Sequence, residues 1–151
     1  MGFSYKDCVD RKLLKRVPPS KEKALQSIEK AKKWLKESHK TFKSEAFNSS
    51  VLASYMGMFH SARAILFLDG CREKSHACIA RYLEEKYSKT GKLERKWIDL
   101  LDHHREIRHE DQYNLSFYTT QDEAKRALAS SSGFLDRMEI LLKEIMRLKS
   151  D

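Results

Sequence analysis

The sequence predicts an all-α fold, an antiparallel up-and-down bundle of four to five helices. The 151 residues include only 5 Gly and 2 Pro, too few for a turn-rich β-sandwich or barrel. Apolar side chains recur at steps of three and four along most of the chain, and no strand-like alternation persists. The length is that of one domain, which buries enough surface to need no covalent staple.

The first 19 residues are predicted to be a basic N-terminal arm, and residues 20–151 the helical bundle. Pro18 and Pro19 mark the boundary, because two prolines cannot continue a helix but can precede one. The net charge is +8, and residues 1–43 carry 13 basic and 5 acidic side chains, so the whole excess lies in this part of the chain. Such a basic end suggests an anionic partner, although most of it is expected to be a solvated helix surface.

The first helix of the bundle is predicted to begin at Ser20, whose side chain can cap it, and to run to about residue 44. Its inward face consists of Ile28, Ala31, Leu35, Ser38 and Phe42. The second helix, from about Ala46 to Leu68, is apolar nearly all round, which is typical of a buried central helix. Gly70 fits the left-handed position that ends such a helix.

Three further helices complete the prediction. One is capped by Ser75 and ends before Gly91, and the next extends to about Asp111. Residues 112–119 are aromatic and polar without a helical period, so we expect an ordered loop there. Thr120 and the glutamate three residues later form a capping box for the last helix.

Composition argues against several classes of protein. No apolar run approaches the ~20 residues that a membrane span needs, and no apolar segment follows the first basic residues, so we expect neither a membrane nor a signal peptide. The cysteines are odd in number and form no C-x-x-C, so neither a disulfide framework nor a zinc ribbon is expected. The expectation is unpaired thiols in a reducing cytoplasm for Cys8, Cys71 and Cys78.

Two Glu-x-x-His pairs, Glu106 with His109 and Glu73 with His76, are weak candidates for a metal site. Di-iron sites in helical bundles need two such pairs and a further glutamate on each of two other helices. This sequence has no unpaired glutamate on an inward helix face to complete such a site. We therefore expect no metal and no cofactor.

The run Asp102-His103-His104 resembles the acidic-His-His run of some phosphoesterases. A single short motif on a helix, without the strands that accompany it there, is only a hypothesis. We expect His104 to point inward and its two neighbours to be solvated.

The strongest candidate site lies at the end of the fourth predicted helix. Arg105 and Arg108 are three residues apart, so their guanidinium groups can grip one phosphate. The imidazole of His109 can donate or accept a proton. Asp111 offers an alternative, in which it simply pairs with Arg108 at a helix end. Aromatic rings on which a base can stack come next, at Tyr113, Phe117 and Tyr118.

His60 and Arg63 stand three residues apart within the apolar second helix. Charged residues are rarely buried unpaired, so Arg63 is expected either to reach solvent at a cleft or to meet an acid such as Asp111. Both outcomes place it near Arg108. A purely structural buried ion pair is the alternative.

The segment Ala53–Ala64, with the sequence ASYMGMFHSARA, resembles the second-helix signature of HEPN domains (higher eukaryotes and prokaryotes nucleotide-binding). It is most similar to the small stand-alone HEPN proteins of archaea and bacteria, and Lys89–Lys92 and Arg108–Tyr113 fall where that branch has similar segments. The resemblance covers about residues 20–148 and implies an up-and-down helical bundle, usually a dimer. It also implies a minimal nucleotidyltransferase as partner in a toxin–antitoxin-like couple. In some couples that partner adenylylates a HEPN tyrosine, for which Tyr113 is nearest in place.

Many HEPN proteins are metal-independent ribonucleases with an Arg, a polar residue and, a few residues later, a His. Two subunits pair these motifs in one composite site. Arg108 and His109 match the first two positions, but the final His is absent, because positions 113 to 115 hold Tyr113, Asn114 and Leu115. The chemistry uses a base to activate a ribose 2′-hydroxyl and cations to stabilise the phosphorane, so His109 would have to replace the missing base.

Three functional hypotheses follow. In the first, a homodimer binds RNA or a nucleotide phosphate in a cleft centred on Arg108 and acts with a minimal nucleotidyltransferase. In the second, the dimer is a metal-independent endoribonuclease in which Arg108 and His109 are catalytic. In the third, the bundle is a non-catalytic module that docks another protein. The binding residues expected in the first hypothesis are Arg105, Arg108, Asp111, Tyr113, His60 and Arg63.

Overall fold

The computed structural model describes residues 3–150, and helices account for most of them, which confirms the all-α class and the helical bundle. The bundle is built from α2 to α6, and a short helix and a two-stranded ladder are added to it. In chain order the elements are α1 (Tyr5–Asp10), β1 (Leu14–Arg16), α2 (Lys21–Lys43), α3 (Phe47–Asp69), β2 (Cys71–Glu73), α4 (His76–Leu83), a π-helical turn (Glu84–Ser88), α5 (Arg95–Tyr113) and α6 (Gln121–Ser150).

The helix α3 lies at the centre and packs against α2, α5 and α6. Most of its residues are buried, and Tyr55, Met58 and Ile65 are among the largest fully buried side chains. By length and composition alone α3 is apolar enough to cross a membrane, contrary to our expectation that no run approaches that length. Its burial among the other helices is that of a core helix. It ends at Gly70, whose φ of 81° is the predicted left-handed conformation.

Buried serines join α3 to its two main neighbours. Ser38 of α2 lies 2.5 Å from Ser54 of α3, measured between the hydroxyl oxygens, and the Ser131 hydroxyl of α6 donates to the Ser54 carbonyl at 2.7 Å. Gly57 permits this approach, because a Cβ atom there would lie 2.8 Å from the Ser131 hydroxyl oxygen. These bonds satisfy polar groups inside the core and fix how α2 and α6 sit on α3.

The helix ends follow the predicted caps in two of three cases. Ser20 accepts a hydrogen bond from the amide of Lys23 at 3.0 Å, and Thr120 accepts one from the amide of Glu123 at 3.1 Å. Ser75 occupies the N-cap of α4, but its side chain makes no capping hydrogen bond. The first amides of α4 are therefore not satisfied by a side-chain cap.

The N-terminal segment, residues 3–19, is packed onto the bundle, whereas the first two residues of the predicted arm lie outside the described residues. A disulfide joins Cys8 of α1 to Cys78 of α4, and β1 pairs with β2 in antiparallel register, with Leu14 opposite Glu73. The expectation of unpaired thiols is thus wrong for Cys8 and Cys78, and the expectation of no strands is wrong for two short ones. Both pairings join residues far apart in the chain, which local sequence patterns do not reveal.

Candidate functional site

A cleft of about 440 Å³ opens between the start of α4 and the second half of α5. We call it the α4–α5 cleft. Arg105 and Arg108 lie in its half-buried part, whereas the two glutamates of its lining are exposed at the rim, where water screens their charge. The lining residues are Phe3, Ser75, His76, Ala77, Arg105, Glu106, Arg108, His109 and Glu110.

Arg105 is held in the cleft by an acid on its own helix. Its Nη2 lies 3.3 Å from Oδ1 of Asp102, whose other carboxylate oxygen accepts a hydrogen bond from Nη2 of Arg81 at 2.5 Å. Asp102 therefore bridges α4 to α5 and is only partly exposed, so the expectation that it is solvated is wrong. His104 is expected to point inward, and it is buried.

Arg108 makes no ion pair among the described residues. Its guanidinium carbon lies 5.1 Å from the centre of the Tyr55 ring, and its Nη1 donates to Oε1 of Gln112 at 3.0 Å. The Nε atoms of Arg108 and Arg105 are both buried without a hydrogen-bond partner within the described part of the chain. Because Arg108 has no carboxylate partner there, its charge is available to an anion in the cleft.

His76, which our sequence analysis weighed only as a weak metal ligand, lies beside these arginines in the cleft. A hydrogen bond of 3.1 Å joins its Nδ1 to the Tyr55 hydroxyl, and its ring stacks on Phe59 at a centroid distance of 4.1 Å. Burial and the nearby charges of Arg108, Arg105 and Arg63 lower the pKa of His76 below its usual value. The ring is therefore neutral at pH 7 and able to accept a proton.

The first turn of α4 adds a further positive potential. Ser75, His76 and Ala77 all line the cleft, and Ser75 makes no side-chain cap. Uncapped amides at a helix N-terminus carry partial positive charge and bind anions. Two arginines and a helix N-terminus thus face the same space.

Two other predicted residues stand at the outer end of the cleft. His109 lines it, and its ring lies 4.9 Å from that of Tyr113. Tyr113 is 62% exposed, so its ring is accessible to a ligand or to another protein. Tyr118 is exposed on the following loop and Phe117 lines a different cavity with His103 and His104, so neither lies in the α4–α5 cleft.

Asp111 and Arg63 have partners other than those considered from the sequence. Asp111 accepts a hydrogen bond from the Thr119 hydroxyl at 2.8 Å, and burial raises its pKa. Arg63 pairs with Glu73 of β2, with 2.5 Å between Nε and Oε1, and not with Asp111. The structural ion pair is therefore the alternative that holds for Arg63, and Asp111 is absent from the lining of the cleft.

His60 is also outside the cleft lining. It is buried in α3, its ring meets that of Phe59 edge to face, and burial together with Arg63 and Lys30 lowers its pKa to about 4. In the Glu-x-x-His pair at Glu73 and His76, Glu73 is paired with Arg63 and His76 is hydrogen-bonded to Tyr55. Within residues 3–150, no group of three or more His, Cys, Asp or Glu is placed to hold a metal ion.

Comparison with known proteins gives one family and several relatives. A model of the HEPN domain matches residues 24–141. Two proteins of Methanocaldococcus jannaschii named "putative toxin" are similar to the chain. One is 24% identical over 126 residues, which is 82% of this chain and 86% of the relative. The other is 25% identical over 105 residues, which is 70% of this chain and 78% of the relative.

A third relative is a "UPF0332 protein" of Thermotoga maritima, which is 23% identical over 118 residues, 78% of this chain and 89% of the relative. The stretch matched by the domain model includes α3, α4 and α5. It therefore contains both arginines of the cleft and His76, but it excludes the N-terminal segment.

Proposed function

This chain belongs to the HEPN domain family, and from that premise we propose that it binds RNA or a nucleotide phosphate in the α4–α5 cleft, with Arg108 as the central contact. The observation that carries the proposal is that Arg108 lines the cleft without an ion pair among the described residues, beside Arg105 and the uncapped start of α4. Arginine binds phosphate bidentately, and a helix N-terminus adds amide donors. Two of the relatives are named putative toxins, which supports a toxin-like role for this chain.

A titration with short single-stranded RNA at increasing salt tests this function. Each phosphate contact releases counterions, so the logarithm of the association constant should fall with the logarithm of salt concentration by about 0.7 per contact. Fluorescence anisotropy of labelled RNA measures the slope. Affinity that does not change with salt would contradict phosphate binding.

The second candidate function is metal-independent cleavage of RNA, and the position of His76 favours it. This chain lacks the final His of the family pattern. His76, however, reaches the cleft from α4 and is hydrogen-bonded to Tyr55. If Nδ1–H donates to the Tyr55 oxygen, Nε2 is free to take the proton of a ribose 2′-hydroxyl. The 2′ oxygen then bonds to phosphorus and the bond to the 5′ oxygen breaks, which gives a 2′,3′-cyclic phosphate and a 5′ oxygen that takes a proton from water. Arg105 and Arg108 stabilise the added charge on the phosphate.

Replacement of His76 by Ala is expected to abolish cleavage in EDTA while RNA binding stays within about threefold, because the base acts on the proton and not on the phosphate. Cleavage should persist at lower pH than a histidine with an ordinary pKa of about 6.5 allows, since the pKa of His76 is lowered. The His109→Ala variant is the matched control, and we expect it to retain cleavage. Loss of cleavage in His109→Ala but not in His76→Ala would assign the base to His109 instead.

A homodimer is part of the same proposal, and the outer face of α2 supports it. A groove runs along this face, in which Leu25 is exposed and Trp34 is half-buried. If two copies pair antiparallel about the midpoint between Glu29 and Lys30, Leu25 meets the partner's Trp34 and Glu29 meets the partner's Lys30. Light scattering should then give twice the 17.7 kDa of the chain, and a monomer at all concentrations would contradict the dimer.

The minimal nucleotidyltransferase implied by the resemblance remains the proposed partner. Tyr113 is exposed at the end of α5, so its hydroxyl is accessible to a modifying enzyme. Adenylylation there would place a phosphate and a base beside His109, at the mouth of the cleft, and would compete with RNA. Mass spectrometry of the protein isolated with such a partner should find AMP on the peptide that contains Tyr113, and AMP on another residue would contradict this assignment.

A further inference from the structure

We propose that the N-terminal segment supplies a base-binding wall to the α4–α5 cleft, and that Phe3 is the platform on which a nucleobase stacks. The proposal rests on phosphate binding in that cleft and names the ligand more closely. The ligand is a nucleotide that carries its base, as opposed to a bare phosphate or a sugar phosphate. Residues 3–19 lie outside the stretch matched by the domain model, so this wall is an addition to the matched domain.

Phe3 lines the cleft together with His76, Arg105 and Arg108, and it is 37% exposed. The guanidinium carbon of Arg11 lies 4.8 Å from the centre of the Phe3 ring, over one of its faces. That contact covers one face of the ring, and the proposed base stacks on the other. Stacking on an aromatic side chain is the usual way in which proteins hold an unpaired base.

Three contacts hold the chain segment that follows Phe3. Ser4 and Asp7 form a reciprocal capping box directly after it, with bonds of 3.0 and 3.1 Å. The disulfide between Cys8 and Cys78 then ties α1 to α4, two residues beyond His76. The pairing of β1 with β2 secures the end of the segment.

The cleft has room for both halves of a nucleotide. Its volume of about 440 Å³ falls in the range of small-ligand sites, roughly 300–1,000 Å³. A phosphate between Arg105, Arg108 and the start of α4 leaves the base to extend toward Phe3, on the wall contributed by the N-terminal segment. Because every base offers a π-face, this wall distinguishes nucleotides from sugar phosphates and not one base from another.

The test compares AMP with ribose 5-phosphate, which differ only in the base, by isothermal titration of the full chain. We expect the wild-type protein to bind AMP about 5- to 100-fold more tightly, the range that stacking on one aromatic ring supplies. Phe3→Ala should remove this preference and leave the affinity for ribose 5-phosphate unchanged, whereas Phe3→Tyr should keep it. The double variant Cys8→Ala/Cys78→Ala should also lose it, because the wall is no longer tied to α4.

Tyr118→Ala is the matched control, since this ring is exposed but lies outside the cleft. A preference for AMP that survives Phe3→Ala, or that disappears in Tyr118→Ala, overturns the proposal. Arg108→Ala separates this failure from that of the proposed function, because it should weaken both ligands. If Arg108→Ala changes neither affinity, phosphate binding in the cleft is wrong and the assignment of Phe3 falls with it.

Discussion

Replacement of Arg108 by Ala is expected to weaken RNA binding by about 10- to 100-fold, because a charge-assisted hydrogen bond contributes about 1.5–3 kcal/mol. Arg108 makes no ion pair among the described residues, so its charge is available to a ligand. Arg108→Lys should recover only part of the loss, since an ammonium group keeps the charge but not the bidentate fork. Anisotropy titrations at constant salt measure both variants.

Arg108 also packs over Tyr55, so its removal must be shown not to unfold the protein. A thermal unfolding midpoint within a few degrees of wild type establishes that. The second control replaces Lys36, Lys40 and Lys43 of α2 with Gln, because these exposed lysines lie outside the groove proposed for the dimer. These residues carry part of the charge excess of the first 43 residues, so their loss should slow association and flatten the salt dependence. If Arg108→Ala and the lysine variant had the same effect on affinity and on its salt dependence, the binding site and the electrostatic approach surface would not be separate.

Removal of the disulfide has the largest expected effect on stability. The bond between Cys8 and Cys78 closes a loop of 70 residues, and chain-entropy arguments give about 4 kcal/mol for a loop of this size. The Cys8→Ala/Cys78→Ala variant should therefore lower the free energy of unfolding by about 2–4 kcal/mol in urea titrations, with α1 and β1 as the first elements to exchange their amide protons.

Cys71→Ser is the matched control for this variant. Cys71 is the free cysteine among the described residues, and burial together with Glu73 and Asp69 raises its pKa to about 11. The thiol is thus protonated and unreactive near neutral pH, and its replacement should leave the oxidised protein nearly unchanged. Identical unfolding curves of wild type with and without a strong reductant would show that the disulfide does not form.

The helices of the bundle could be predicted because each carries its own signal. Spacing of apolar residues identified α2, the lack of a polar face identified α3 as central, and Gly70 marked where it ends. The N-terminal segment carries no such signal. Its helix is short, its strand has three residues, and the disulfide depends on a contact between Cys8 and Cys78 that only the folded chain creates.

The same distinction applies to the candidate site. Arg105 and Arg108 could be predicted as neighbours, because residues three apart on a helix lie on the same side. His76 could not be placed beside them, since α4 and α5 meet only through tertiary packing. For Arg63 the sequence left open whether it reaches solvent at a cleft or meets an acid such as Asp111. The choice of Glu73 depends on the position of β2 against α3.

The central claim is that RNA phosphate binds between α4 and α5, and mapping of backbone amide chemical shifts tests it most directly. On addition of short single-stranded RNA, the largest shifts are expected at residues 75–77, 105, 106, 108 and 109, which line the cleft. At the same RNA concentration they should be much smaller in Arg108→Ala, because that variant binds more weakly. Shifts confined to the lysines of α2, or to the loop at residues 114–120, would contradict the claim and place the ligand elsewhere on the bundle.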